Sequence, residues 1–227
     1  MLSGCHFCYL HVPIAIDKSV NTKFEGTTMI LRGLLISFML LLGGCASSSM
    51  LKAPQQQLAK PAADKAQIIF MRSSLYGAGI SAPMFDVTAG EPKFVGIVDN
   101  SSKVAVEVPA GKHTFMVVSE AADFLEANVE GGKTYYAMVT PRMGAWKARF
   151  SIWPVRGNGT SDFHTADPAV QKYITKTVLM QNTPKSEAWF LKNKADVKAK
   201  QAEYWPVWQQ KSAAELAERT LVPADGQ

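Results

Sequence analysis

Between residues 65 and 156 short runs of β-branched and aromatic side chains are separated by Gly, Pro, Asp and Asn, a rhythm that predicts strands joined by turns. Eight runs fit, at 66–73, 84–88, 94–98, 103–108, 112–119, 124–130, 133–141 and 146–153. In the fourth, Val104, Val106 and Val108 share one face and Lys103, Ala105 and Glu107 the other, so the strand is expected to be half buried. The fifth is apolar on both faces, Phe115 and Val117 against Met116 and Val118, and belongs inside a sheet. In the last, Trp146, Ala148, Phe150 and Ile152 are expected inward and Lys147, Arg149, Ser151 and Trp153 outward. Pro109-Ala110-Gly111 reads as a turn and Gly131-Gly132 as a two-residue hairpin. No strand–helix–strand alternation interrupts the series, so the fold class expected is mainly β: an antiparallel two-sheet β-sandwich of about eight strands.

Past the loop 157–160 the period lengthens to that of helices, predicting a helical tail over 157–227. Asp167-Pro168 and Thr183-Pro184 each place a capping side chain before a proline suited to the first helical turn. The helix from Pro184 is expected to run to about Tyr204, with Phe190, Val197 and Tyr204 one heptad apart on a stripe that packs on the sandwich. Pro206 should end or kink it. Ser212-Ala213-Ala214-Glu215 is a capping box for a short last helix.

Two segments precede the domain. Residues 45–64, with three consecutive serines, three consecutive glutamines, Pro54, Pro61 and several alanines, have no apolar period and read as a flexible linker. Residues 29–44 begin Met29-Ile30-Leu31-Arg32 and continue as a ten-residue apolar stretch, Gly33 to Leu42. That stretch suits a secretory signal and falls short of the roughly 20 apolar residues that span a membrane. It closes on Leu42-Gly43-Gly44-Cys45, which resembles the lipobox at which bacteria cleave a signal and acylate the new N-terminal cysteine. Cleavage after Gly44 and lipidation of Cys45 are what the resemblance implies, with the membrane, reached through the acyl chains, as the first partner. Ala46 follows the cysteine where the lipoproteins that stay in the inner membrane commonly carry aspartate, so the outer membrane, at its periplasmic face, is the expected location. Translation is then expected to start at Met29, with 1–28 a misassigned extension.

A second resemblance spans about 65–155. Phe94-Val95-Gly96, then Val108-Pro109-Ala110-Gly111-Lys112-His113, and later Gly131-Gly132-Lys133-Thr134-Tyr135 resemble a bacterial lipoprotein domain of unknown function. They are also similar to the PEGA-type β-sandwich, whose hairpin carries the same proline, glycine, histidine order. The resemblance implies a fold and an envelope location, and no catalytic residues.

Chemistry-bearing residues are few. Cys5, Cys8 and His11 form a CxxC with a following histidine, but four ligands at metal spacing are not present, so no metal and no cofactor are expected. With residues 1–44 removed and Cys45 acylated no thiol would remain, so no disulfide is expected. His113 should hydrogen-bond its turn, and His164 suggests a triad with Ser161 and Asp162 only by adjacency. With no nucleophile-elbow, zinc-protease or phosphate-loop motif, the expectation is a protein that is not an enzyme, with a hydrolase the remote alternative. Its role is then a structural or interaction module of the envelope.

Charge points to an alternative. Residues 141–200 carry eleven Lys and Arg against four acids, and all five tryptophans, Trp146, Trp153, Trp189, Trp205 and Trp208, fall between 146 and 208. Lys147, Arg149 and Trp153 on one outward face are the candidate ligand-binding residues, for a carbohydrate or peptidoglycan strand. Envelope proteins or anionic glycans are the partners in view, and export argues against nucleic acid. The competing expectation is that a solvated lysine face and aromatic packing under the docked helix account for both features.

Overall fold

The computed structural model describes residues 49–227 apart from 75, 147 and 160. Cys45 with Leu42, Gly43 and Gly44, the segment from Met29, the trio Cys5, Cys8 and His11, and Lys147 lie outside the described residues. The described part is mainly β, two sheets of six and five strands with three α-helices. The strands are β1 (Leu51–Lys52), β2 (Lys65–Arg72), β3 (Ala82–Asp86), β4 (Lys93–Val98), β5 (Ser102–Pro109), β6 (Gly111–Val118), β7 (Ala122–Val129), β8 (Thr134–Arg142), β9 (Arg149–Pro154), β10 (Val178–Gln181) and β11 (Thr220–Leu221). The helices are α1 (Pro168–Lys176), α2 (Pro184–Gln209) and α3 (Ala213–Glu218).

The order in one sheet is β1-β10-β5-β2-β8-β9 and in the other β11-β7-β6-β3-β4. All eight expected strands form, each within a few residues of its sequence bounds, and β6 is the central strand of its sheet, with Phe115, Met116, Val117 and Val118 all buried. The antiparallel expectation is corrected: β2 with β8, β5 with β10 and β7 with β11 pair in parallel, so both sheets are mixed. Two of these parallel partners, β10 and β11, come from the tail expected to be wholly helical; being four and two residues long, they carry too little pattern to show.

Gly131-Gly132 is not a hairpin turn, because β7 and β8 belong to different sheets. The two glycines carry the chain from one layer to the other beneath the 62–65 segment. Gly132 has φ 73° and its amide donates to the carbonyls of Ala62 and Lys65, and a Cβ on Gly131 would overlap the Ala63 carbonyl oxygen. Pro109-Ala110-Gly111 likewise crosses between sheets, from β5 to β6, with Gly111 at φ 130°.

Between the sheets lies a core that includes Ile68, Phe70, Met84, Phe115, Leu125, Tyr135 and Ile152, each fully buried. Phe70 and Phe115 meet edge to face, ring centroids 5.1 Å apart. The outer face of the five-stranded sheet is covered by α2 through Phe190, Val197 and Trp208, with Tyr204 partly buried beside them, as the heptad stripe predicts. Burying each of the three contributes about 1.5–3 kcal/mol. A smaller cluster on the other sheet joins Met71, Met138 and Val155 to Val170 of α1. There Lys103, expected to face solvent, is buried, and its ammonium donates to the Ile174 carbonyl at 2.6 Å.

Helix starts follow the sequence closely. Asp167 caps α1, and Thr183 and Ser212 form capping boxes at α2 and α3. The stop lies later than Tyr204: α2 continues through Pro206 to Gln209, so the proline does not end it. An interior proline costs about 3 kcal/mol. Trp205 and Trp208 on either side of it pack on Phe124 with centroids 5.0 and 5.6 Å away, and burial plus ring–ring contact of that kind is of comparable size.

Within the flexible linker expected over 45–64, the stretch from Ser49 to Gln56 is fastened chain. Leu51 and Lys52 pair with Gln181 and Met180, the Ala53 amide donates to the Leu179 carbonyl, and Met50 is buried. The Gln56 side chain then grips both backbone groups of Leu179, donating to its carbonyl at 3.2 Å and accepting its amide at 2.9 Å. A polar segment is held here by backbone pairing, which leaves no hydrophobic period in the sequence.

Candidate functional site

Strand β9 is the last strand of its sheet, and its outward backbone groups need partners. Asp123 of β7 supplies one: its carboxylate accepts the Ile152 amide at 3.2 Å and the Arg219 guanidinium. Arg219, the residue that ends α3, supplies the other by donating to the Ile152 carbonyl at 2.8 Å. Its guanidinium also lies 4.3 Å from the centroid of Trp153 and 5.4 Å from that of Trp208. One buried ion pair thus caps the strand and fixes two tryptophans. The two residues are 96 apart in sequence and carry no motif, which is why the sequence gives no hint of them.

Around this pair opens a groove of about 410 Å³ between β9, β7 and the C-terminal part of α2. Its charged lining is Arg142, Arg149, Lys211 and Arg219 with the single carboxylate of Asp123, and its rings are Phe124, Trp153, Trp208 and Tyr204. Arg149 is held by the Glu120 carboxylate at 2.8 Å, the same group that accepts the amides of Ala145 and Trp146. With Asp123 and Glu120 set against Arg219 and Arg149, the excess positive charge resides on exposed Arg142, while part-exposed Lys211 lies 3.7 Å from the Glu215 carboxylate. Lys211 lies 5.6 Å from the Trp208 ring centroid, and the Trp153 indole nitrogen donates to Thr140 at 3.1 Å. Such a lining suits an anion that also offers a flat face to stack.

Of the sequence candidates, Arg149 and Trp153 meet in this groove. Trp146, expected inward on the last strand, precedes β9 and is 93% exposed, because the strand starts only at Arg149. Trp189 and Trp205 take the packing role, against Phe94 and Phe124. The groove residues Arg142, Tyr204, Trp208 and Lys211 were visible as charge and aromatic content, but which of them converge depends on how α2 crosses the sheet.

A second cavity, about 520 Å³, shares Trp153 with the groove and has Arg156, Ser161, Asp162 and Phe163 in its wall. Ser161 Oγ donates to the Phe163 carbonyl at 2.8 Å, while Arg156 reaches Asp225 at 2.9 Å and so ties the C-terminal turn to β9's end. His113 Nε2 lies 2.8 Å from the Pro109 carbonyl, the turn contact expected of it. Among the described residues no group of three or more His, Cys, Asp or Glu is gathered as for a metal, and no helix is long and apolar enough to cross a membrane. No protein-family model and no curated protein matches this chain.

Proposed function

We propose that the chain is a bacterial envelope lipoprotein, anchored in the outer membrane on its periplasmic face by acyl chains on Cys45, and that its β-rich domain is a non-catalytic structural or interaction module. The anchor rests on the Leu42-Gly43-Gly44-Cys45 run behind a ten-residue apolar stretch. The likeness of 65–155 to lipoprotein domains of unknown function and to PEGA-type sandwiches belongs to the same proposal. An interaction role rests on one observation: the groove presents Arg142 and Lys211 beside tryptophans that the Asp123–Arg219 pair already holds in place. Preorganised rings lose little freedom when a partner arrives.

The groove favours a second, more specific reading, an anionic glycan. A sugar ring would stack on part-exposed Trp153 while its carboxylate or phosphate pairs with Arg142 and Lys211. The test is retention of the purified protein on immobilised peptidoglycan and on a soluble polyuronate, for wild type and the Arg142→Ala, Lys211→Ala double variant. Weakening by about tenfold or more, the equivalent of about 1.4 kcal/mol, is expected for the variant at unchanged thermal stability. Equal retention of the two proteins contradicts the glycan reading; in-cell crosslinking to another envelope protein would then identify the groove as a protein interface.

A further inference from the structure

The fastening of the chain at Ser49 bears on how an anchored domain would stand on a membrane. The Thr183 hydroxyl donates to the Ser49 carbonyl at 2.6 Å, and from Met50 to Ala53 the chain is buried or paired with β10. Only residues 46–48 intervene between Cys45 and Ser49. Four Cα-to-Cα steps span at most about 15 Å. An acyl group seated in the bilayer through Cys45 therefore brings Ser49 to the headgroup layer, where a free linker over 45–64 would have let the domain roam.

Ser49 lies at the start of α2, which Thr183 caps. Strands β1 and β10 form one edge of the six-stranded sheet and β9 the other, so the exit point and the groove are separated by most of the sheet's width, about 24 Å at the usual strand spacing. Helix α2 makes the same crossing, from Phe85 and Phe94 under Phe190 to Phe124 under Trp205 and Trp208. Its first turns expose Lys185, Lys192 and Lys194 against one acid, Glu187, and Leu191 stands 71% exposed among them. Basic side chains with an apolar neighbour match an anionic lipid surface.

We propose that the anchored domain rests on the bilayer with Ser49 and the first turns of α2 against anionic headgroups, and that the groove at the opposite edge faces away from the membrane. This inference rests on acylation of Cys45. It makes the domain a fixed-orientation display of the groove.

The experiment uses the acylated protein, reconstituted in phosphatidylethanolamine–phosphatidylglycerol vesicles containing headgroup-quencher lipids. A fluorophore is placed by Leu191→Cys or, beyond the groove on α3, by Ala217→Cys. Strong quenching at 191 and little at 217 is expected, and ten Gly/Ser residues inserted after Ser48 should bring the signal at 191 down toward that at 217. Equal quenching at both positions in a protein whose mass confirms acylation overturns the orientation alone. A protein whose mass shows no acyl chain overturns the anchor reading, and the orientation with it.

Discussion

Asp123 and Arg219 concentrate several roles in two side chains: they close the outer edge of β9, bind each other while almost wholly buried, and hold Trp153 and Trp208. Removing one partner of such a pair leaves a buried charge uncompensated, at a cost of about 3–5 kcal/mol. Asp123→Ala should therefore lower unfolding free energy by about that amount in a denaturant titration, and a loss under about 1 kcal/mol would show that the pair is not what holds the edge. Lys103 gives a pH signature. Burial lowers its pKa from the ordinary value of 10.5, so the folded chain releases this proton before the unfolded chain does. Between the lowered value and 10.5 the unfolded state binds more protons, and stability rises with pH. Wild-type stability measured against Lys103→Met should climb with pH through that window; a falling difference would contradict a buried ammonium.

At the scale of elements, the crossover at Gly131-Gly132 distinguishes two uses of glycine. In a hairpin both positions face solvent and tolerate a methyl group where φ allows it, whereas here the 62–65 backbone lies against Gly131. Gly131→Ala should cost about 1–3 kcal/mol by overpacking, read as a lowered denaturation midpoint, and an unchanged midpoint would favour an open turn. The same pair marks the limit of what could be read from the chain. Local signals were legible: alternation in β5, the all-apolar β6, and the caps at Asp167, Thr183 and Ser212 all correspond to observed elements. What the local pattern cannot contain is which strand lies beside which. The parallel pairs β2–β8, β5–β10 and β7–β11, the pairing that fastens Leu51 and Lys52, and the helix that survives Pro206 are all decided by tertiary contacts. The groove follows the same division. Arg149 and Trp153 stood out as neighbours on one strand, while Arg219 and Asp123 could be found only once α3 and β7 were placed.

For the whole molecule, the two mixed sheets and the helix across one of them separate two ends with different chemistry. One end holds the chain at Ser49, beside the first turns of α2, and the other holds the basic, aromatic groove. Under the proposed acylation of Cys45, a fold held at one edge and presenting the groove at the other would hold a partner at a set distance from a membrane. That account depends first on Cys45. The most direct measurement is the mass of the N-terminal peptide of protein extracted from bacterial membranes. The account predicts a peptide that begins at Cys45 and carries acyl chains, absent from Cys45→Ser; an unmodified peptide beginning at Met1 or Met29 would contradict it.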